Sequence, residues 1–435
     1  MKSSITRRLF LVDSGAAVVG VSALGTFLAA CGGTPAPAVS NAPVTLSYWA
    51  TFYAAGTPSG SIIDSAVQNF ERTHQGTTIV ITGYQGTQAD YTKMTQALHS
   101  GNTIDFFRVS ADELPLMVQQ GLVSSTDSFL DASDRSDIYP NILKDVTFNG
   151  KVYAWPMYIP PVGMYLNLDI FKEKNVTPPS GTWTYEQFVQ IAQQLTFTRS
   201  DGTKVYGFTG QLDAGVINLW PIIMGDGGTP LSPDNKTYTF NSPESISGLQ
   251  KLVDLVSKYK VTPPDFGTQT VSDIQSGFSQ RKVYAMYCEP SGIATSYAKV
   301  KGLNFAVMPM PTGARGTAFT CGGIGLIAVA NIQDQNRLQK TMAAAKYLSG
   351  AQVQLDVPGY YTAPPARKSV QLSAPASDFS PFVASTWIAP MIAQWPAIRL
   401  LIQPALQNAV LGKASPSDAM NAIASQVNSL LSQGS

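Results

Sequence analysis

From Val44 onward, short alternating runs and amphipathic stretches follow one another. "VTLSYWA" (Val44–Ala50) alternates apolar and polar positions as a strand does. Ser61–His74 then places Ile62, Ile63, Ala66, Val67 and Phe70 at helical spacing, and Thr77–Tyr84 returns to strand character. Tyr91–Gly101 predicts an amphipathic helix closed by Gly101, Ile104–Ser110 a short strand, and a helix opens near Asp112. This alternation predicts an α/β lobe with a mainly parallel sheet.

Gly150–Phe171, "GKVYAWPMYIPPVGMYLNLDIF", breaks the rhythm. Pro156, Pro160 and Pro161 bar regular pairing inside a strand-prone run, so the chain is expected to cross between lobes there. Helical pattern resumes at Thr182–Leu195, with Thr184 as N-cap and Phe188, Ile191, Ala192 and Leu195 as its apolar stripe. Further helices are expected over 242–260 and 415–431, the last with Ser415 as N-cap, Pro416 in the first turn and Asp418 in a capping position.

A chain of 435 residues exceeds the ~250–300 at which one hydrophobic core stops growing, so two lobes are expected. Charged residues are only 13% and the net charge is +1, which leaves no basic field for nucleic acid. Residues 1–30 stand apart: Lys2, Arg7 and Arg8 precede an apolar run, the layout of an export signal. "TRRLFL" resembles the twin-arginine signature, although Val12 stands where that signature usually has lysine, so Sec export stays open. "LAAC" resembles a lipobox, which would make Cys31 the lipidated N-terminus after cleavage. The alternative is an uncleaved anchor over Leu9–Ala30, interrupted by Asp13, Ser14 and glycines. Residues 31–43, rich in Pro, Gly and Ala, read as a flexible tether.

The two remaining cysteines, Cys288 and Cys321, fit either a disulfide or two buried thiols. His74 and His99 stand alone, so neither a metal nor another cofactor is expected.

Many stretches in order, among them "NGKVYAWPMYIPPVGMYLNLDIFKEKNV", "TWTYEQFVQIAQQLT", "LWPIIMGDGG", "GGIGLIAVA" and "PPARKSV", carry a resemblance. Over nearly the whole chain after the tether it resembles the family 1 extracellular solute-binding proteins, receptor subunits of bacterial ABC sugar importers. The resemblance implies a two-lobed fold of the type II periplasmic-binding class, with lobe I over 44–157 and 322–372, lobe II over 158–321 and 373–435, and a ligand cleft between them. It also implies a permease partner in the membrane and a monomeric receptor.

Sugar recognition needs flat aromatic faces and planar polar groups. Trp49, Tyr53, Tyr158, Trp220, Trp387 and Trp395 are placed to supply the aromatics, with Trp155 read as hinge packing. By resemblance, "QWPAIR" puts a stacking tryptophan at Trp395 and an arginine nearby at Arg399, and "VSADEL" puts a hydroxyl-binding carboxylate at Asp112, where a simple helix cap is the alternative. Tyr53 and Gln85 occupy cleft-facing loops, Trp220 and Asp213 the mouth of the second lobe, and Glu289 the end of a strand that contributes to the cleft. The backbone of Gly322 and Gly323 is expected to approach ligand closely, and Arg367 to brace the lobe surface. The rival ligand class is a glycerol phosphate or phosphodiester, held by Arg108, Arg399 and the Gly322–Gly323 amides. The rival activity is glycoside hydrolysis, for which no carboxylate pair is proposed by any local motif.

Overall fold

The computed structural model describes residues 42–101, 104–212 and 217–433. In chain order, its strands begin with β1 (Val44–Thr51), β2 (Thr77–Tyr84) and β3 (Phe106–Ser110), followed by a small hairpin of β4 (Thr147–Phe148) and β5 (Lys151–Val152) and by β6 (Trp155–Tyr158). Then come β7 (Val162–Asn167), β8 (Phe197–Thr198), β9 (Lys204–Gly210), β10 (Tyr284–Pro290) and β11 (Phe305–Met308). The chain ends its strands with β12 (Thr320–Gly322), β13 (Gly325–Val329) and β14 (Thr386–Ile388).

Two five-stranded sheets result, in the orders β2-β1-β3-β13-β6 and β11-β7-β10-β9-β8. β1 runs parallel to β2, from Val44 opposite Thr77 to Thr51 opposite Tyr84, and parallel to β3. β13 returns from far along the chain and inserts antiparallel between β3 and β6. In the second sheet β10 lies parallel to β9 and antiparallel to β7. Each sheet has its own core: the first packs Tyr48, Phe70, Phe106, Phe107 and Trp155 together, the second Phe188, Phe208, Trp220, Trp395 and Leu406, with a satellite of Tyr165, Phe278, Tyr287 and Tyr297. The α/β architecture with two lobes expected from the sequence is therefore present.

Pro156 requires a correction. It does not prevent pairing: it lies within β6, opposite Leu326 of β13. β6 is the sheet's edge strand, where a missing backbone N–H costs no ladder bond. The break comes after it, where Ile159–Pro161 carries the chain from β6 in the first sheet to β7 in the second. A second link is the parallel pair β12 and β14, two strands outside both main sheets.

The caps follow the sequence. Thr184 and Gln187 form a reciprocal capping box, and the Ser415 hydroxyl accepts from the Asp418 N–H. Arg367 is buried and braces its surroundings by donating to the Ser349 carbonyl at 3.1 Å and the Asp134 carboxylate at 3.1 Å.

The short helix Trp220–Met224 is set by a close helix crossing. Helix Pro243–Ser257 lies against it at Gly248, where an added Cβ would stand 1.8 Å from the Ile223 carbonyl oxygen. Backbone cannot yield there as a flexible side chain would. Gly248→Ala is expected to destabilise the protein by about 1–3 kcal/mol, the usual cost of overpacking, read as a lower urea midpoint. An unchanged midpoint would show that the two helices separate freely.

Candidate functional site

The C-terminal ends of β1, β2 and β3 share one edge of the first sheet, and the loops after them carry Tyr53, Gln85 and Asp112. Parallel sheets bind ligands at this edge. Asp112 lies in a 3₁₀ turn, Ala111–Glu113, before helix Leu114–Gln119 and makes no cap hydrogen bond; its carboxylate accepts instead from the Ser110 hydroxyl.

From the second lobe, helix Trp395–Val410 brings Arg399 to that edge. Arg399 Nη1 donates to Asp112 Oδ2 at 2.7 Å, and Nη2 donates to Glu113 Oε1 and to Gln88 Oε1, the latter at 3.2 Å. The guanidinium is only 4% exposed, so one buried cation from lobe II is clasped by three groups from lobe I. Two carboxylates facing one cation leave surplus negative charge in a dry place. Burial accordingly pushes the Glu113 carboxyl up to about 7, with Arg399 opposing the rise.

One turn before Arg399 on the same helix, Trp395 is 0% exposed. Its ring meets Trp220 at 6.0 Å edge to face and Trp387 at 6.1 Å, and Trp220 and Trp387 also lie 6.0 Å apart. The Trp395 and Trp220 indole N–H groups and the Arg399 Nε–H are buried and have no acceptor among the described residues. Buried donors are rarely left unpaired, because each costs the desolvation of its N–H.

Glu289, at the end of β10 and 8% exposed, has its own surroundings: Asn218 Nδ2 donates to Oε2 at 3.1 Å and Gln275 Nε2 to Oε1 at 3.4 Å. Both partners are neutral amides, and burial pushes the carboxyl up to about 8. Tyr53 donates its hydroxyl to Asp64 at 2.9 Å, and Gln85 is an exposed residue whose backbone N–H donates to Asp90 at 3.1 Å. Tyr158 ends β6 half-buried, its ring beneath Gly325.

Several sequence expectations need adjustment. Asp112 and Arg399, read as separate ligand contacts, bind each other. Trp155, read as hinge packing, is fully buried in the first core on β6, the strand that leads into the crossing. Gly322 is enclosed by Pro160 and Thr386 within the crossing, so its backbone is committed there; Gly323 lies against Ser110. Arg108 donates to the Tyr48 and Tyr360 hydroxyls at 2.7 and 2.8 Å, and Arg399 is held by carboxylates, so both guanidinium groups named for a phosphate are already engaged. Cys288 and Cys321 are unbridged buried thiols, with Cys321 Sγ packed 4.0 Å from Met224 Sδ and burial raising both. Asp213 and Cys31 lie outside the described residues. Among the described residues no cluster suited to a metal occurs, and no helix is long and apolar enough to cross a membrane.

Sequence reasoning missed Glu113, Gln88, Asn218 and Gln275. The adjacent acids of "ADEL" were a usable signal for the first; the amides gave none, because their partners come from distant segments.

The Glu289 proton makes stability depend on pH. The native state keeps that proton up to about 8, whereas an unfolded chain releases it near the ordinary carboxylate value of ~4.3. The associated stability is complete below the unfolded value and is lost as pH rises through the folded one. Glu289→Gln should therefore melt increasingly above wild type as pH rises from about 5 to about 9, by differential scanning calorimetry. A pH-independent difference would contradict this.

Comparison with known proteins identifies the family and the fold. A family model described as bacterial extracellular solute-binding protein matches residues 65–385. The maltodextrin-binding protein MdxE of Bacillus subtilis is 24% identical over 351 residues, 78% of this chain and 77% of its own. Maltose-bound MalE3 of T. maritima superposes with a TM-score of 0.77 at 17% identity, covering 89% of this chain and 99% of its own. The substrate-binding protein Lmo0181 of Listeria monocytogenes, in complex with cycloalternan, gives 0.76 at 18% identity, with 90% and 99% covered. With its two lobes, its cross-lobe cluster and a family match spanning residues 65–385, the chain belongs to the bacterial extracellular solute-binding proteins.

Proposed function

We propose that the protein is an extracytoplasmic receptor that captures a carbohydrate between its lobes and delivers it to an ABC import permease. The observation that carries this reading is the meeting of aromatic and polar side chains on one helix: Trp395 lies with Trp220 and Trp387, and one turn on Arg399 reaches Asp112, Glu113 and Gln88 at the edge where parallel sheets bind ligands. A neutral polyhydroxylated ring offers both complements: hydroxyl oxygens as acceptors and CH faces for aromatic contact. The two guanidinium groups named for a phosphate, Arg108 and Arg399, are both held by side chains of this protein. The maltodextrin, maltose and cycloalternan named for the relatives support the same class.

Lobe I comprises 44–157 with 322–372, and lobe II 158–321 with 373–435; the two sheets and their separate cores support this division. Ligand shifts the lobes toward the closed arrangement because only there can it touch both walls. In this reading the Arg399 clasp forms as the lobes close and breaks as they open. The protein binds without cleaving. Hydrolysis requires an acid and a base set ~5–10 Å apart across the bond, whereas Asp112 and Glu113 are neighbours holding the same arginine. Residues 1–30 export the chain, and Cys31 carries lipid that holds it, as a monomer, at the outer face of the membrane.

Two experiments test this reading. Trp395→Ala should weaken binding of the sugar identified by a thermal-shift screen at least ~10-fold, about 1.4 kcal/mol, in calorimetric titration; unchanged affinity would remove Trp395 from the site. Cys31→Ser should move the protein from the membrane fraction to the soluble one, and retention on the membrane would favour an uncleaved anchor.

A further inference from the structure

β1 ends at Thr51, and the next residue combines two features that rarely coincide. Phe52 has φ of +59°, in the left-handed region. The other non-glycine residues there among the described residues are three asparagines and two lysines. Asparagine tolerates this conformation through local hydrogen bonding; phenylalanine has no such compensation, and a bulky residue there is an outlier. Phe52 is also 62% exposed, the most exposed large aromatic among the described residues. Its side chain thus gains nothing from the core in return for the strain.

The surroundings hold the strain in place. The Phe52 N–H donates to the Tyr84 carbonyl at 2.7 Å, and the Tyr53 N–H closes back on the Ala50 carbonyl at 3.4 Å. The Tyr53 hydroxyl is tied to Asp64, and β2 approaches so closely that a Cβ on Gly83 would stand 2.0 Å from the Tyr53 carbonyl oxygen. Strain that neighbours enforce this thoroughly tends to mark function. The turn also lies at the edge formed by the C-terminal ends of β1, β2 and β3, the edge at which Gln88 and Asp112 meet Arg399.

We propose that Phe52 is a stacking platform for a sugar ring at the lobe I rim, outside the enclosed tryptophans, and that the ligand is accordingly an oligosaccharide rather than a single ring. The inference rests on the carbohydrate reading above and deepens it. The enclosed Trp220 and Trp395 address the inner part of the ligand, and the exposed Phe52 ring offers its face to a ring that projects beyond them.

The test titrates wild type, Phe52→Ala, Phe52→Gly and Phe52→Trp with malto-, cello-, xylo- and manno-oligosaccharides of increasing length and with the parent monosaccharides. Expected is binding of one oligosaccharide series, weakened roughly 10-fold by Phe52→Ala and Phe52→Gly on the longer members and retained by Phe52→Trp. Phe52→Gly should melt above wild type, since glycine adopts this backbone without strain, so loss of binding cannot come from unfolding. If wild type binds oligosaccharides and ring removal leaves every affinity unchanged, or if Phe52→Gly melts below wild type, this inference is overturned while the carbohydrate reading stands. If wild type binds only a monosaccharide, the inference again falls alone. Binding of no saccharide at all would overturn both.

Discussion

A buried guanidinium ties the tryptophan-bearing helix of the second core to the edge of the first sheet. Arg399 reaches from helix Trp395–Val410 to Asp112, Glu113 and Gln88, and so couples the position of the second lobe to the edge of the first. Taking these charges out of water is expensive, and attraction repays the cost only with close geometry. The interaction is therefore favourable over a narrow range of lobe positions. Burial holds the Glu113 carboxyl above its usual range, so part of the attraction is offset by the desolvation of the clasp's own carboxylates. A receptor that must release its cargo benefits from a clasp of this kind, which stops short of locking the lobes together.

The aromatic cluster depends on the same helix. Trp395 and Arg399 are one turn apart, so whatever places the arginine against lobe I also places the indole against Trp220 and Trp387. Trp220 is fixed in turn by the crossing at Gly248, where two helix backbones touch without side chains between them. On the same helix the Trp395 indole N–H and Arg399 Nε are buried without an acceptor among the described residues.

Much of the architecture was legible in the sequence because it rests on local signals. The period-two and helical spacings from Val44 to Ser110 gave the opening of the first sheet, and Thr184 and Ser415 marked helix starts through capping chemistry that acts over three residues. Pro156 was misread because a proline's effect depends on whether its strand is central or at an edge, which β13, some 170 residues later, decides. The insertion of β13 between β3 and β6 left no local trace for the same reason. In the site, Trp395, Arg399 and Asp112 were found, but not that Asp112 and Arg399 pair, since side chains 287 positions apart meet only after both lobes have formed. Phe52 passed unremarked because its strain is a backbone property that its residue type argues against.

The central claim is that carbohydrate binding and lobe closure are one event. It is tested most directly by measuring the distance between spin labels at Lys93 on lobe I and Asp273 on lobe II, both exposed, with and without a saturating oligosaccharide. The buried Cys288 and Cys321 thiols are protected from the labelling chemistry. The account predicts a broad distribution that sharpens and shifts to shorter distance on sugar addition. An oligosaccharide that binds with no change in the distribution would contradict it.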